Sequence, residues 1–386
     1  MSVTAPADFV ATGGHIGIKA SGDPDCAVVA TAGGAPVAAA GVFTQNLAAA
    51  GPVRVSRRHL DATGGRAAAV ILNSGNANCA TGTDVEVAEE MCTLAATAIG
   101  CAAEAVLVCS TGLIGIPLDP AHFRAGVPAL GATLHDDGGS DAARAIMTTD
   151  TVAKETVAVS PDATWTIGGM AKGAAMLAPN MATMLAVLTT DASVEPARLQ
   201  AALADAVAGS FNRIVVDGCT STNDTVLLLA SGLAGPPSDD AAFDAALAAA
   251  CLSLATQMAR DAEGHTKVVR IEITGAATDE EADRAARKLA TSLLVKCSFF
   301  GSDPYWGRVL SDLGTAGVAV DTNAVSIAYD GIVVAKGLQP TGADAAHVVT
   351  GTEFVLACDL GSGSGAAWVL TNDLSHAYVD ENKGTS

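Results

Sequence analysis

The centre of the chain places a threonine hydroxyl between a turn and an apolar strand. Residues 171–192 read AKGAAMLAPNMATMLAVLTTDA, so Pro179-Asn180 interrupts an apolar run just before Ala182-Thr183. A threonine hydroxyl is a weak nucleophile near neutral pH unless a base lies beside it. If the chain is cut before the threonine, its new α-amino group, with a pKa of about 7.7–8.0, supplies that base.

Self-cleavage before Thr183 makes three demands on the local sequence. A hydroxyl must follow the scissile carbonyl, the preceding residue must be small, and a tight turn must hold the strained peptide. Residues 179–183 offer all three. The same features fit an ordinary strand threonine, and both interpretations stay open on these residues alone.

Length and composition indicate a large α/β protein. A chain of 386 residues is long enough for two domains, or for one large domain with an appendage. Hydrophobic residues make up 50% of the chain but aromatic residues only 4%, which predicts a core of small aliphatic side chains. The net charge of −20 argues against binding to nucleic acid or to an anionic membrane surface.

Cysteine and histidine usage predicts neither disulfides nor a metal site. The nine cysteines include no CxxC pair, which is typical of reduced thiols in a cytosolic protein. The seven histidines are scattered and form no HExxH motif. The N-terminus shows no signal peptide. The apolar run at 245–259 is too short to span a bilayer and predicts a buried helix, so we expect a soluble, cytoplasmic protein.

Strand-like and helix-like patterns alternate along the chain. A Pro-Asp bend predicts a hairpin over 156–170. A change of pattern near residue 275 predicts a catalytic domain over 1–275 and a C-terminal α/β domain over 276–386. Apolar runs predict strands over 67–75, 105–115, 267–275, 324–337 and 353–373. Amphipathic patterns and terminal signals predict helices over 85–100, 195–212, 241–264 and 279–294.

Several common catalytic motifs are absent from the sequence. No GxxxxGK[ST] loop or GxSxG elbow occurs, which argues against a P-loop NTPase and a typical serine hydrolase. The segment GSGSGA at 361–366 loosely fits a dinucleotide fingerprint. A strand-like pattern follows it where the fingerprint requires a helix, so we predict a glycine hairpin turn there.

The central segment strongly resembles the self-processing segment of the ornithine acetyltransferase family, the bifunctional glutamate N-acetyltransferases of arginine biosynthesis. The resemblance extends over nearly the whole chain. Further matching blocks, in order, are GVFTQN (41–46), ILNSGNANCATG (71–82), CSTGLIG (109–115), AIMTTD (145–150), STNDTVLLL (221–229), DAEGHTK (261–267), GSDPYWGRVL (301–310) and DLSHAYVDEN (373–382).

The resemblance implies a fold and a reaction. The expected fold is an αββα sandwich of the N-terminal-nucleophile type with a smaller C-terminal α/β domain. The chain is expected to cleave itself between Ala182 and Thr183, giving an α chain of residues 1–182 and a β chain of residues 183–386. Thr183 would then carry an acetyl group from N-acetylornithine to glutamate by a ping-pong mechanism. The alternative is an N-terminal-nucleophile aminopeptidase or amidase, in which water resolves the acyl-enzyme.

The resemblance also implies roles for individual residues and partners. Thr111 and Gly112 are expected to form the oxyanion hole. No cofactor is implied, although acetyl-CoA is an open second acetyl donor, and the expected assembly is an α2β2 heterotetramer. The sequence departs from the family pattern at Gln45, at Ala175, at Tyr305 and in its shortened tail. The substrate-binding residues implied by the family are Thr148, Lys172, Thr183, Glu263, Asn382 and Ser386.

Overall fold

The computed structural model describes residues 2–177 and 184–384. These residues form two compact units, each assembled from separate stretches of the chain. Unit 1 consists of residues 2–174, 184–212 and 220–258. Unit 2 consists of residues 175–177, 213–219 and 259–384. The predicted domain division at residue 275 and the predicted chain division between residues 182 and 183 stay predictions.

Strands and helices alternate through the described residues. The strands are β1 Phe9–Gly14, β2 Cys26–Thr31, β3 Val37–Phe43, β4 Arg66–Ala67, β5 Ala69–Asn73, β6 Val106–Ser110, β7 Lys154–Val159, β8 Thr166–Lys172, β9 Leu185–Ala192, β10 Ile214–Val215, β11 Thr225–Gly235, β12 Val268–Ala276, β13 Ser326–Tyr329, β14 Ile332–Lys336, β15 Gln339–Pro340, β16 Glu353–Asp359 and β17 Gly365–Asn372. The α-helices are α1 Gly51–Thr63, α2 Asp84–Ile99, α3 Ala121–Gly131, α4 Gly139–Ala145, α5 Pro196–Ala208, α6 Asp240–Ala259, α7 Asp279–Ala290, α8 Leu293–Phe300, α9 Trp306–Leu313, α10 Ala346–Val349 and α11 His376–Asn382.

Two sheets pack face to face in unit 1. One has four strands in the order β1-β2-β5-β6, and the other has six in the order β4-β3-β11-β9-β8-β7. Successive side chains of a strand point to opposite faces of its sheet. In β5, Val70 and Leu72 therefore join a buried cluster with residues of the six-stranded sheet, whereas Ala69 and Ile71 pack with helices on the other side. Both faces of β5 are covered, which explains its continuous apolar run.

Helices cover the outer face of each sheet in unit 1. Helices α1, α2 and α3 contribute apolar residues to the cluster on the outer face of the four-stranded sheet. Across the six-stranded sheet, the Gln200 amide of α5 donates to Gly41 O and accepts from Gly41 N–H, at 3.1 and 3.0 Å. Helix α6 places Leu254 against Gly169 of β8. The layers are therefore helix, sheet, sheet and helix, and the predicted αββα sandwich is confirmed.

Helix α6 is the one described helix that is long and apolar enough, by length and composition, to cross a membrane. It spans 20 residues. Its side chains Phe243, Leu247, Leu254 and Met258 are each at most 1% exposed. This burial supports the predicted core helix.

Unit 2 is built on a seven-stranded sheet in the order β10-β17-β12-β16-β13-β14-β15. Helix α7 packs its small apolar face on this sheet, and Ala282, Ala285 and Leu289 are fully buried there. The helix begins where the sequence indicates, because Thr278 Oγ1 accepts a hydrogen bond from the Glu281 N–H at 3.2 Å. Sheet and helices enclose a second hydrophobic core.

Two local predictions need correction. The GSGSGA segment (361–366) does not close a hairpin, because β12 lies between β16 and β17 and pairs with both of them. The predicted helix over 279–294 ends at Ala290, and Ser292 begins a separate helix by accepting a hydrogen bond from the Val295 N–H. The hairpin predicted over 156–170 is present as the antiparallel pair β7 and β8.

Candidate active site

Strand β6 of unit 1 ends in a tight turn formed by Thr111 and Gly112. Thr111 is buried, and its N–H donates to Asn73 O at 3.0 Å. Gly112 is exposed and has a φ of +135°, in a region that favours glycine. A Cβ atom at position 112 would lie 2.3 Å from Gly75 C and 2.4 Å from Asn76 N. The close approach of these two loops therefore requires glycine at position 112.

Buried amide side chains hold this turn in place. Asn223 Nδ2 donates to Ala77 O at 2.6 Å and to Ser110 O at 2.9 Å. Asn76 Nδ2 donates to Ile116 O on the far side of the turn at 3.0 Å. The ILNSGNANCATG and STNDTVLLL blocks thus fix the geometry of a turn that belongs to neither of them.

Lys172, the last residue of β8, brings two threonine hydroxyls together. The side chain is only 3% exposed. Its Nζ donates to Thr148 Oγ1 at 2.6 Å and to Thr111 Oγ1 at 3.2 Å. Three predicted site residues, Thr111, Thr148 and Lys172, therefore form one cluster beside Gly112.

Asp150 is hydrogen-bonded to Thr148 and lies close to Lys172, two members of this cluster. Its Oδ1 accepts from Lys154 Nζ at 2.6 Å and from the Gly173 N–H at 2.7 Å, and both members of the ion pair are fully buried. Its Oδ2 accepts from the Thr148 N–H at 3.0 Å and lies 3.9 Å from Lys172 Nζ. Burial alone would raise the pKa of Asp150, but the charges of Lys172 and Lys154 lower it to about 2. Asp150 is therefore a permanent carboxylate near neutral pH.

The pKa of a second buried carboxyl, Asp224, is raised, whereas that of Asp150 is lowered. Its Oδ1 accepts from the N–H of Met184 at 2.9 Å. Its Oδ2 is buried and has no hydrogen-bond partner among residues 2–177 and 184–384. Burial raises the pKa of Asp224 well above its usual range, although Met184, Ser221 and Lys172 lower it in part. The first described residue after the proposed cleavage bond, Met184, is thus anchored by a buried carboxyl whose pKa is raised.

The remaining described site residues, Glu263 and Asn382, lie together in unit 2. Asn382 Nδ2 donates to Glu263 Oε2 at 2.7 Å and to Tyr378 O at 2.9 Å. Glu263 was predicted to lie at the C-terminal end of a helix, but α6 ends at Ala259 and Glu263 lies in the turn that follows. A Cβ atom on the next residue, Gly264, would lie 2.1 Å from Tyr378 N, so this turn packs closely against α11.

Some predicted site residues fall outside the described part of the chain. Ala182, Thr183 and Ser386 lie there, and their predicted roles are untested. Residues 2–177 and 184–384 contain no group of three or more His, Cys, Asp or Glu side chains placed to hold a metal ion.

Three residues that the structure places around the site were not predicted from the sequence: Asp150, Asn223 and Asp224. Asp150 lies within the AIMTTD block, and the other two lie within STNDTVLLL. For Asn223 and Asp224 the signal was a polar residue immediately before the apolar strand β11, whereas Asp150 adjoins no apolar strand. That signal identifies the residue but not its partner, because the partners are distant in the sequence.

The model of the ArgJ family matches residues 10–384 of the chain. The chain belongs to the ArgJ family. It is therefore an acyltransferase enzyme of arginine biosynthesis, as the sequence resemblance implied.

Curated relatives match this ArgJ-family chain over its full length. The arginine biosynthesis bifunctional protein ArgJ of Mycobacterium bovis is 48% identical over 394 residues, covering 100% of this chain and 96% of the relative. The protein of the same name from Streptomyces coelicolor is 45% identical over 391 residues and is covered completely, as is this chain.

Solved structures of ArgJ-family proteins match parts of the chain. The arginine biosynthesis bifunctional protein ArgJ from Bacillus halodurans is 39% identical with a TM-score of 0.48, covering 51% of this chain and 96% of the solved one. Ornithine acetyltransferase from Mycobacterium tuberculosis, complexed with ornithine, is 45% identical with a TM-score of 0.44, covering 46% of this chain and 94% of the solved one.

Proposed function

We propose that this enzyme transfers an acetyl group from N-acetylornithine to glutamate through an acyl-threonine intermediate on Thr183. The observation that carries the proposal is the cluster of Lys172, Thr111 and Thr148 beside the Gly112 turn. It offers a buried ammonium and hydroxyl groups to an anionic substrate. Membership of the ArgJ family, whose curated relatives are named for arginine biosynthesis, supports the same reaction.

The proposed reaction has two half-reactions that share one nucleophile. Thr183 Oγ attacks the acetyl carbonyl of N-acetylornithine, and the free Thr183 amine, directly or through a water, takes the hydroxyl proton. The C–N bond breaks, and ornithine leaves with that proton. The neutral α-amine of glutamate then attacks the acyl ester, the C–O bond to Thr183 Oγ breaks, and the Thr183 amine passes a proton from the attacking nitrogen to Oγ. Two easier steps replace one difficult transfer.

Each half-reaction passes through a tetrahedral oxyanion. In the proposal, the Thr111 hydroxyl and the Gly112 N–H stabilise it, and one such donor is worth about 3–4 kcal/mol in comparable enzymes. Because Gly112 is exposed and held rigidly against Gly75, its amide can be preorganised for this purpose. Lys172 polarises the Thr111 hydroxyl by donating to its oxygen.

Substrate binding is proposed to use the residues that the family resemblance implies. Lys172 and Thr148 bind the α-carboxylate of the amino acid, because an ammonium and a hydroxyl are suitable donors to a carboxylate. Glu263, Asn382 and Ser386 bind the remainder of the substrate. Glu263 and Asn382 already form a hydrogen-bonded pair.

Self-cleavage is part of the same proposal. The bond between Ala182 and Thr183 is cut, leaving an α chain (1–182) and a β chain (183–386) that assemble as an α2β2 heterotetramer in the cytoplasm. A catalytic domain over 1–275 and a C-terminal domain over 276–386 remain the proposed division. No cofactor is required. The word bifunctional in the relatives' names favours a second activity with acetyl-CoA as acetyl donor.

The function is tested by following a radiolabelled acetyl group from N-acetylornithine. We expect label in N-acetylglutamate when glutamate is present, and we expect Thr183→Ala to abolish both transfer and cleavage. Thr183→Ser is the matched control, because it keeps a hydroxyl and should retain both activities at a lower rate. Label that appears only as free acetate would instead indicate an N-terminal-nucleophile amidase.

A further inference from the structure

Lys19 lies in the loop between β1 and β2 of unit 1 and has no role in the reaction described above. Its side chain is half-buried. Its Nζ donates to Met147 O at 2.7 Å and to Pro24 O at 2.9 Å. Burial lowers the pKa of Lys19, although neighbouring carboxylates oppose that shift. Its burial and its two backbone acceptors distinguish Lys19 from a solvated surface lysine.

The backbone of this loop fixes the position of Lys19. The carboxylate of Asp25 is fully buried and accepts three backbone hydrogen bonds of 2.7–2.9 Å. Their donors are the N–H groups of Ile16, Ile18 and Lys19. The backbone carbonyl of Asp25 accepts from the Ser74 N–H at 2.9 Å. The loop is therefore attached to the chain that leaves β5, and the Lys19 side chain begins from a fixed point.

The methylene stem of Lys19 packs against the loop that supports the Gly112 turn. A Cβ atom at position 75 would lie 3.1 Å from Lys19 Cγ and 4.0 Å from Lys19 Cε. A Cβ atom at position 112 would lie 2.3 Å from Gly75 C. Gly75 thus contacts both Lys19 and Gly112. Because protein interiors are closely packed, a shift of the lysine stem would be transmitted to the candidate oxyanion turn.

The ammonium of Lys19 binds the peptide group that precedes Thr148. This peptide consists of Met147 C=O, which accepts from Lys19, and the Thr148 N–H, which donates to Asp150 Oδ2 at 3.0 Å. A peptide group is planar, so two charged partners on its oxygen and its nitrogen fix its orientation. They thereby fix the backbone of the residue whose hydroxyl accepts from Lys172 at 2.6 Å.

We propose that Lys19 is a positioning residue for acetyl transfer. Its ammonium orients the peptide between Met147 and Thr148, and its stem supports Gly75 and, through it, the Gly112 turn. Lys19 thereby sets the distance between the hydroxyl that is proposed to bind the substrate α-carboxylate and the turn that is proposed to stabilise the oxyanion. The inference rests on the proposed function, and it adds a residue that acts through others and not on the substrate.

The two contacts of Lys19 predict two separable kinetic effects. Lys19→Met keeps the stem but removes the ammonium. The KM values for N-acetylornithine and for glutamate should each rise by about tenfold, because both substrates carry an α-carboxylate. The turnover per competent site should stay within about threefold of wild type. Lys19→Ala also removes the stem, and it should lower that turnover by about tenfold more because the oxyanion turn loses its support.

Steady-state kinetics of the full enzyme measure these effects. Each rate is divided by the fraction of β chains that gain an acetyl group from N-acetylornithine, read from the intact mass, so that a loss of folded enzyme is not counted. Lys19→Arg keeps a charged donor and should restore both KM values to within about threefold of wild type. Lys336→Met removes an exposed lysine of β14 and is the matched control, with no expected effect.

A purely structural role for Lys19 predicts fewer competent sites with unchanged KM values. That result, or KM values in Lys19→Arg no better than those in Lys19→Met, would overturn the inference while wild-type transfer stands. If Lys19→Met does not fold, Lys19→Gln replaces it, since its neutral, shorter side chain should still raise both KM values by about threefold or more. Wild-type enzyme that transfers no acetyl group to glutamate would refute the proposed function, and this inference with it.

Discussion

Single residues of unit 1 set the electrostatics of the proposed site. Lys172 donates to two hydroxyl groups, while the nearest oxygen of Asp150 is 3.9 Å away. Asp150 is instead paired closely with Lys154. Asp150 thus lies close to two ammonium groups, 2.6 Å from Lys154 Nζ and 3.9 Å from Lys172 Nζ.

Gly112 gives the first residue-scale prediction. Gly112→Ala forces a Cβ atom against the backbone of Gly75 and Asn76, so the turn must move. We expect kcat/KM for acetyl transfer to fall by about 100-fold or more, because the oxyanion donors lose their alignment. Gly115→Ala is the matched control, since Gly115 also has a positive φ but no atom within 4 Å of the added Cβ. Equal losses in the two variants would contradict a role for the Gly112 position.

Asp150 gives a prediction about stability. Asp150→Asn leaves Lys154 buried without its counter-ion, which should cost about 3–5 kcal/mol in the free energy of unfolding at pH 7. Because the folded-state pKa of Asp150 is lowered to about 2, its stabilising contribution is present above pH 4 and is lost as the pH falls towards 2. The difference between wild type and variant should therefore narrow by about 2 kcal/mol as the medium is acidified. Urea unfolding at several pH values measures it.

Asp224→Asn is the comparison for Asp150→Asn, because its effect on the free energy of unfolding should change with pH in the opposite direction. The folded-state pKa of Asp224 is raised, so wild-type stability is greatest below the usual carboxyl pKa and declines as the pH rises. The amide keeps an acceptor for the Met184 N–H and carries no charge. We expect this variant to lose less stability at pH 8 than at pH 4. A loss that grows with pH would show that Asp224 is ionised in the folded protein.

At the scale of elements, the start of α7 is governed by local sequence. Thr278→Ala removes the hydroxyl that accepts from the Glu281 N–H and should lower the free energy of unfolding by about 1 kcal/mol. Because Thr278 lies outside the proposed site, kcat and KM should not change. Thermal unfolding and steady-state kinetics check the two halves of this prediction, and Thr278→Ser is expected to restore the cap.

Local patterns predicted the elements well and their neighbours poorly. The hairpin of β7 and β8 could be predicted because its turn residues lie between the two strands it joins. The GSGSGA segment was correctly predicted to be a turn between strands, but those two strands do not pair with each other. Strand β12, which comes from far earlier in the chain, lies between β16 and β17. Strand order depends on tertiary packing, which a local pattern does not contain.

The same distinction holds for the site. Thr111, Thr148 and Lys172 were assigned from the family resemblance, and the structure brings them within hydrogen-bond distance of one another through Lys172 Nζ. Asp150 and Asp224 were not assigned. Their importance comes from burial and from partners outside their own motifs, and neither property can be read from residue type and spacing.

At the scale of the whole molecule, the residues with proposed roles lie in two units, each with its own hydrophobic core. Unit 1 holds the candidate oxyanion turn and the Lys172 cluster on an αββα sandwich. Unit 2 holds the hydrogen-bonded pair of Glu263 and Asn382 on a separate sheet and core. In the proposal, variants of the Gly112 turn and of the Lys172 cluster change the chemistry of acetyl transfer.

The most direct test of the account is the intact mass of the freshly purified protein, recorded before and after addition of N-acetylornithine. We predict two polypeptides with the masses of residues 1–182 and 183–386, and a gain of one acetyl group on the second after the donor is added. A single polypeptide with the mass of all 386 residues, unchanged by incubation and by the donor, would contradict the account.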